Sequence, residues 1–164
     1  MAKVGFLKDN PEYVDQIAHW MFKEWGHLRG YTNADRYIQS VSNRLNNDQT
    51  PLTIIVKSEG NELIAFASLV DHDMETHQEL SPWMGGVFVL PSYRGQGFGK
   101  VVVGEIEQVA NELRYDKLYL FTLDKVDFYA HLSWTIVKDE DYLNSCVTIM
   151  TKDIRKVNQT AVGK

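Results

Sequence analysis

Cysteine is almost absent: Cys146 is the single thiol among 164 residues, which excludes an intrachain disulfide and leaves packing to hold the fold. The residue lies in "SCVTIM", an apolar setting where free cysteine usually serves as a small buried hydrophobe. Burial is expected for it rather than thiol chemistry, which needs an electropositive, accessible site. Long apolar runs are absent too. No stretch approaches the ~18 to 20 residues that span a bilayer, and "MAKVGFLKDN" lacks the continuous apolar core and cleavage site of a signal peptide. A cytoplasmic chain with no membrane partner is expected. Positive charge is not in excess either: 17 Lys and Arg stand against 22 Asp and Glu, a formal net charge of −5. No nucleic-acid partner is expected, because little in the chain would neutralise a phosphate backbone. His72, His77, Asp71 and Asp73 in "DHDMETHQE" match no metal-ligand spacing, and no metal is expected.

What is present is ordinary globular material, 44% hydrophobic and 24% charged, in a chain long enough for one domain. That domain is expected over residues 1–154, with a solvated polar tail at 155–164. "AKVGFL" reads as a strand. In "NPEYVDQIAHWMFKEWG", Asn10 is placed as N-cap and Pro11 at the first helical position. Val14, Ile17, Met21 and Trp25 recur at helical spacing, and Gly26 is the stop. A second helix is expected from a Thr32 cap, with Ala34, Tyr37, Ile38, Val41 and Leu45 on one face. "LTIIVK" and "ELIAFASLV" flank the turn "SEGN" as a hairpin. "WMGGVFVL" is a further strand, and its paired Gly85 and Gly86 mark a bulge or a close backbone approach.

After it, "GKVVVGEIEQVANEL" puts Val101, Val102, Ile106, Val109 and Leu113 on one side of a helix. "DKLYLFT" reads as an interior strand, "VDFYAHL" as a short helix, and "WTIV" and "CVTIMTK" as closing strands. The order β α α β β β α β α β β predicts an α/β domain, a mixed central sheet with helices on both faces.

Gly95, Gly97 and Gly99 crowd the junction between a strand and a helix. A Walker loop is excluded, since Lys100 is followed by Val101 and no glycine stands five residues before Gly99. A dinucleotide fingerprint fails at its third position, which is Lys100. What remains is Arg94-Gly95-Gln96-Gly97-Phe98-Gly99-Lys100, where glycines let successive N–H groups converge and the helix start adds unsatisfied donors. That combination suits an anion.

"VLPSYRGQGFGK" resembles the acetyl-CoA signature of the GNAT superfamily of N-acetyltransferases, Q/R-x-x-G-x-G/A, with Arg94, Gly97 and Gly99 at its defining positions. "LYLFTLDKVDFYAHLSW" resembles the downstream strand and helix of the same family. The resemblance implies that acetyl-CoA is the cosubstrate and that residues 94–100, including Gly95, Gln96, Phe98 and Lys100, bind its pyrophosphate through main-chain amides. It implies further that the pantetheine lies between the "GGVFV" and "LYLFT" strands near Phe88 and Val89, with Thr122 and Phe128 along the same path.

Tyr129 then corresponds to the family's general acid, the alternative being a residue that only stacks on the cofactor. For the base, Glu79 is the candidate, with His77 beside it. Two departures stand out: Ser133 where the family usually has Gly, and Thr122 where many members have Asn. The acceptor expected is a small primary amine, and Asp71, Asp73, Glu75 and Glu79 before the "WMGGVFVL" strand favour a cationic one. A protein N-terminus or lysine is an alternative, as is a CoA-binding module without turnover. Trp20, Phe22, Trp25, His27 and Tyr31 are either core or acceptor-site lining, and the oligomeric state is not legible.

Overall fold

The sequence periodicities are realised in a computed structural model that describes residues 1–155. The elements are β1 (Lys3–Phe6), α1 (Val14–Trp25), α2 (Asp35–Ser42), β2 (Leu52–Lys57), β3 (Leu63–Val70), β4 (Trp83–Val89), α3 (Phe98–Glu112), β5 (Lys117–Thr122), α4 (Val126–His131), β6 (Thr135–Tyr142) and β7 (Ser145–Asp153). The expected order is therefore the observed one. The strands form one seven-stranded sheet in the order β1-β2-β3-β4-β5-β7-β6. Of the tail expected over 155–164, only Arg155 is described, paired with Asp116 at 2.8 Å; the rest lies outside the described residues. No helix among the described residues is long and apolar enough to cross a membrane.

The alternation in β2 and β3 explains the layering. Leu52, Ile54, Val56, Ala65, Ala67 and Leu69 pack in the same core as Val102, Val103 and Ile106 of α3, while Ile55 and Phe66 pack with Ile17, Met21, Tyr37 and Val41 of α1 and α2. Both faces of the central strands are thus covered, so their sequences are apolar almost throughout. A third cluster, Val70, Met74, Trp83, Tyr142, Val147 and Ile149, seats the connection of residues 71–82 beside β5 and β7. Residues of that connection, Asp73 and Glu75 among them, line the same cavity as residues of α1 and α2.

Tertiary context alters several local expectations. Asn10 does not cap α1, because its amide donates to the Phe6 carbonyl and its oxygen accepts from Lys57 Nζ at 2.7 Å. A 3₁₀ turn over Pro11–Tyr13 precedes the helix instead. The second helix starts at Asp35 rather than after Thr32, and Asn33 Oδ1 accepts from the Asp35 amide at 3.0 Å. In α3 the buried valines are Val102, Val103 and Val109, and Val101 is 41% exposed, since the helix turns its stripe so that Val103 rather than Val101 faces the sheet. Cys146 is exposed, not buried: it pairs with Asp141 on edge strand β6, while Val147 and Ile149 take the inward face. Ser133 does occupy the left-handed region that its glycine-like place required, with φ 73°.

Candidate active site

The site begins where the sheet comes apart. β4 and β5 run parallel and pair through Trp83 and Tyr119 alone. Beyond that point the strands diverge, and β4 departs further by a bulge: Phe66 faces Phe88 but Ser68 faces Gly85. Gly86 takes φ 61° there, which a side chain would resist. Met84 to Val89 and Leu120 to Thr122 then line a cavity of about 1270 Å³.

One end of the cavity is the glycine junction. Gly95 and Gly97 have φ 78° and 87°, and a Cβ on either would meet no atom within 4 Å. Both line the cavity, so the space a side chain would take is left open in front of the first turn of α3. That turn has no acidic residue, and its unsatisfied amides with the helix dipole make an anion site. Gly99 has a packing reason instead: a Cβ there would lie 3.1 Å from Phe128 Cζ. Phe98 and Lys100 also line the cavity, whereas Gln96 does not. Arg94 turns back, donating from Nε to the Val89 carbonyl at 2.8 Å and lying over the Phe88 ring, so it braces the loop against β4.

Phe88 is buried against Phe66 and Trp20. Its side chain belongs to the core with Phe66 and the residues of α1 and α2. The Thr122 hydroxyl accepts from the Lys125 amide at 3.0 Å and fixes the turn into α4. On that helix Tyr129 is only 7% exposed and lines the cavity. Desolvation pushes its phenol above the ordinary value, so it is protonated across the neutral range.

The other end of the cavity is formed by α1, the 3₁₀ turn Gly26–Arg29, α2 and the 71–82 connection. Trp25, His27 and Tyr31 line it, and Trp20 and Phe22 do not, which divides the aromatic group into site and core. Asp73 presses on the bulge, for a Cβ on Gly85 would lie 2.8 Å from its Oδ2. Desolvation raises the Asp73 carboxyl above its usual range, opposed by Arg44 and Arg29. Arg44 is held by Ser68 Oγ at 3.0 Å and Ser40 Oγ at 2.9 Å.

Glu79, expected as a base, is elsewhere. Its side chain is 69% exposed, 3.5 Å from His77 Nδ1, and His77 Nε2 meets Glu140 at 2.6 Å. Neither Glu79 nor His77 lines the cavity. Asp71 accepts from Thr50 Oγ1 and is likewise outside it, so two of the four carboxylates counted toward a cationic acceptor do not face the cleft. Asp73 was legible only as one acid in a charged loop, because its burial against Gly85 depends on how residues 71–82 pack over the sheet.

The family model described as "Acetyltransferase (GNAT) family" matches residues 13–134. The chain belongs to that family. It is an acyltransferase of GNAT type, and acetyl-CoA is its cosubstrate. Among solved structures, the aminoglycoside 6'-N-acetyltransferase of Enterococcus faecium is 18% identical with a TM-score of 0.69, covering 93% of this chain and 97% of its own. Mutant forms of the spermidine/spermine N-acetyltransferase SpeG from Vibrio cholerae match at 15% identity and TM-score 0.67, over 98% and 99% of the two chains. The acetyltransferase yncA from Salmonella typhimurium, solved with acetyl-CoA, is 12% identical with a TM-score of 0.67, over 94% of each chain. These likenesses show the GNAT fold.

Proposed function

We propose that this GNAT protein transfers acetyl from acetyl-CoA directly to a primary amine of a small molecule. The observation that carries the reading is the single cavity running from the open glycine junction, past Tyr129, to Asp73. Main-chain amides at Gly95, Gly97 and the start of α3 hold the pyrophosphate, with Lys100 beside them. The backbone of Phe88 and Val89, with Thr122 and Phe128, lines the arm. Acetyl-CoA supplies an acetyl group activated as a thioester. Asp73, rather than Glu79, takes the proton from the acceptor ammonium, because it alone of the two reaches the bulge where β4 and β5 separate. The amine nitrogen forms the new bond to the carbonyl carbon, the carbon–sulfur bond breaks, Tyr129 gives its phenolic proton to the departing sulfur, and the phenolate is restored by the second proton that the nitrogen loses as the amide forms. Acid and base each act by position. A cytoplasmic location belongs to the same proposal, and a free, exposed Cys146 suits a reducing compartment.

Free-thiol release from acetyl-CoA over a panel of small amines, peptide N-termini and lysine peptides tests this reading. Turnover is expected with small amines; turnover with peptides alone would overturn the small-molecule assignment. A binding variant checks the cradle separately. Gly97→Val places a branched side chain in the left-handed region and in front of the amides, so acetyl-CoA affinity should fall by about 10²-fold, the loss of one or two hydrogen bonds to a charged group. Calorimetric titration reads it, and unchanged affinity in a folded variant would refute the cradle.

A further inference from the structure

The acceptor end of the cavity carries more positive charge than an amine needs. Residues lining it from α1, the following turn, α2 and the 71–82 connection include Glu24, Asp73 and Glu75, but also Arg29, Arg36 and Arg44. Signs of charge are balanced there. Arg44 is committed, with both terminal nitrogens on serine hydroxyls and Asp73 as its counter-charge. Arg29 is a different case. Desolvation works against its charge, yet Asp73, Tyr37, Tyr142 and Tyr31 together hold it above its ordinary value. Arg29 therefore remains a cation on the wall of a cavity.

A second observation points to the same spot. Tyr37 is 7% exposed and lines the cavity, and its hydroxyl is the one buried side-chain polar atom among the described residues with no partner in good hydrogen-bond geometry. A buried donor left unpaired costs stability unless something else satisfies it. Arg29 acts on this hydroxyl through its charge and through a side-chain hydrogen bond; a guanidinium can only donate, so the phenolic O–H is still without an acceptor and sits beside a cation on the same wall. Both are donors toward an acceptor, and a carboxylate or phosphonate oxygen supplies what both lack. A polyamine or other purely cationic acceptor would leave the Tyr37 donor unmet and would face Arg29 with like charge.

We propose that the acceptor is zwitterionic: its amine lies toward Asp73, and a carboxylate or phosphonate on the same molecule is bound by Arg29 and Tyr37. The inference rests on the acetyl-transfer reading above and narrows its substrate class to amino acids and aminophosphonates. The amine remains the nucleophile, and the anion serves to hold it in place.

The test compares kcat/KM for amines in matched pairs: phenylalanine against 2-phenylethylamine, methionine against 3-(methylthio)propylamine, and 2-aminoethylphosphonate against ethylamine. In at least one pair the anion-bearing member should be preferred by about 10²-fold, as for a charge-assisted pair of hydrogen bonds. Arg29→Gln should cut that preference to below about tenfold, Arg29→Lys should restore part of it, and Tyr37→Phe should reduce it by roughly three- to tenfold for one lost hydrogen bond. Wild-type enzyme that prefers the anion-free member in every pair overturns the proposal, with no variant needed. A preference undiminished in folded Arg29→Gln overturns it too. Failure of the underlying reading looks different: acetyl-CoA still binds by calorimetry, but no amine of either kind releases thiol.

Discussion

Asp73→Asn is expected to slow acetyl transfer by about 10² to 10³-fold at neutral pH, the range for loss of a positioned general base. An amide cannot accept the ammonium proton, yet it keeps the shape that fits against Gly85. The pH profile carries the sharper expectation. Burial raises the Asp73 carboxyl above the usual carboxylate range, with Arg44 and Arg29 opposing, so the wild-type rate should fall as pH drops through that elevated value. Only the ionised form accepts a proton, hence activity lies on the alkaline side of it. In Asp73→Asn this acid limb should vanish, leaving only the titration of the amine. Glu79→Gln supplies the contrast: an exposed side chain beside His77 should be replaceable with less than about a twofold change, as for surface substitutions generally. Turnover against pH at saturating acetyl-CoA measures both. Asp73→Asn retaining more than a third of wild-type turnover would rule the base assignment out.

Tyr129→Phe should lower turnover by about 10²-fold or more while leaving acetyl-CoA affinity nearly unchanged. The ring keeps its edge contacts with Phe128 at 5.0 Å and Trp134 at 6.1 Å, so packing is preserved and the proton alone is removed. A phenol raised by desolvation is a weaker acid in isolation. The departing thiolate leaves in the same desolvated cavity, however, and burial raises the proton affinity of both anions in the same direction. The raised phenol also stays protonated as pH increases, so turnover should hold flat well past neutrality. Steady-state kinetics with parallel calorimetry separates the roles: weaker cofactor binding at undiminished turnover would make Tyr129 a stacking residue.

Elements with their own signal were readable in one dimension. β2 and β3 carry apolar, β-branched runs bounded by a turn signal and α1 a helical pattern, each dense enough to fix its type, and "RGQGFGK" concentrates the residues that a backbone anion site demands. Other features depended on neighbours. Asn10 is a good cap by type, but Phe6 and Lys57 compete for its side chain. Cys146 sits in an apolar string whose alternation on β7 turns it outward. Glu79 and Asp73 look equivalent as acids of one polar loop, and only the packing of that loop over the sheet sends one to solvent and the other to Gly85.

The sequence by itself determined the element order, the family, the cosubstrate and the glycine junction, because each rests on local periodicity or on a contiguous motif whose geometry is set by nearest neighbours. Tertiary structure alone decided which acids of the 71–82 connection line the cavity, which arginine is held by serine hydroxyls and which hydroxyl is left without an acceptor. Those properties come from burial and from distances between segments remote in the chain. Arg29, Tyr37, Arg44 and Asp73 acquire their charge balance only when two helices and a loop close over the same bulge in β4.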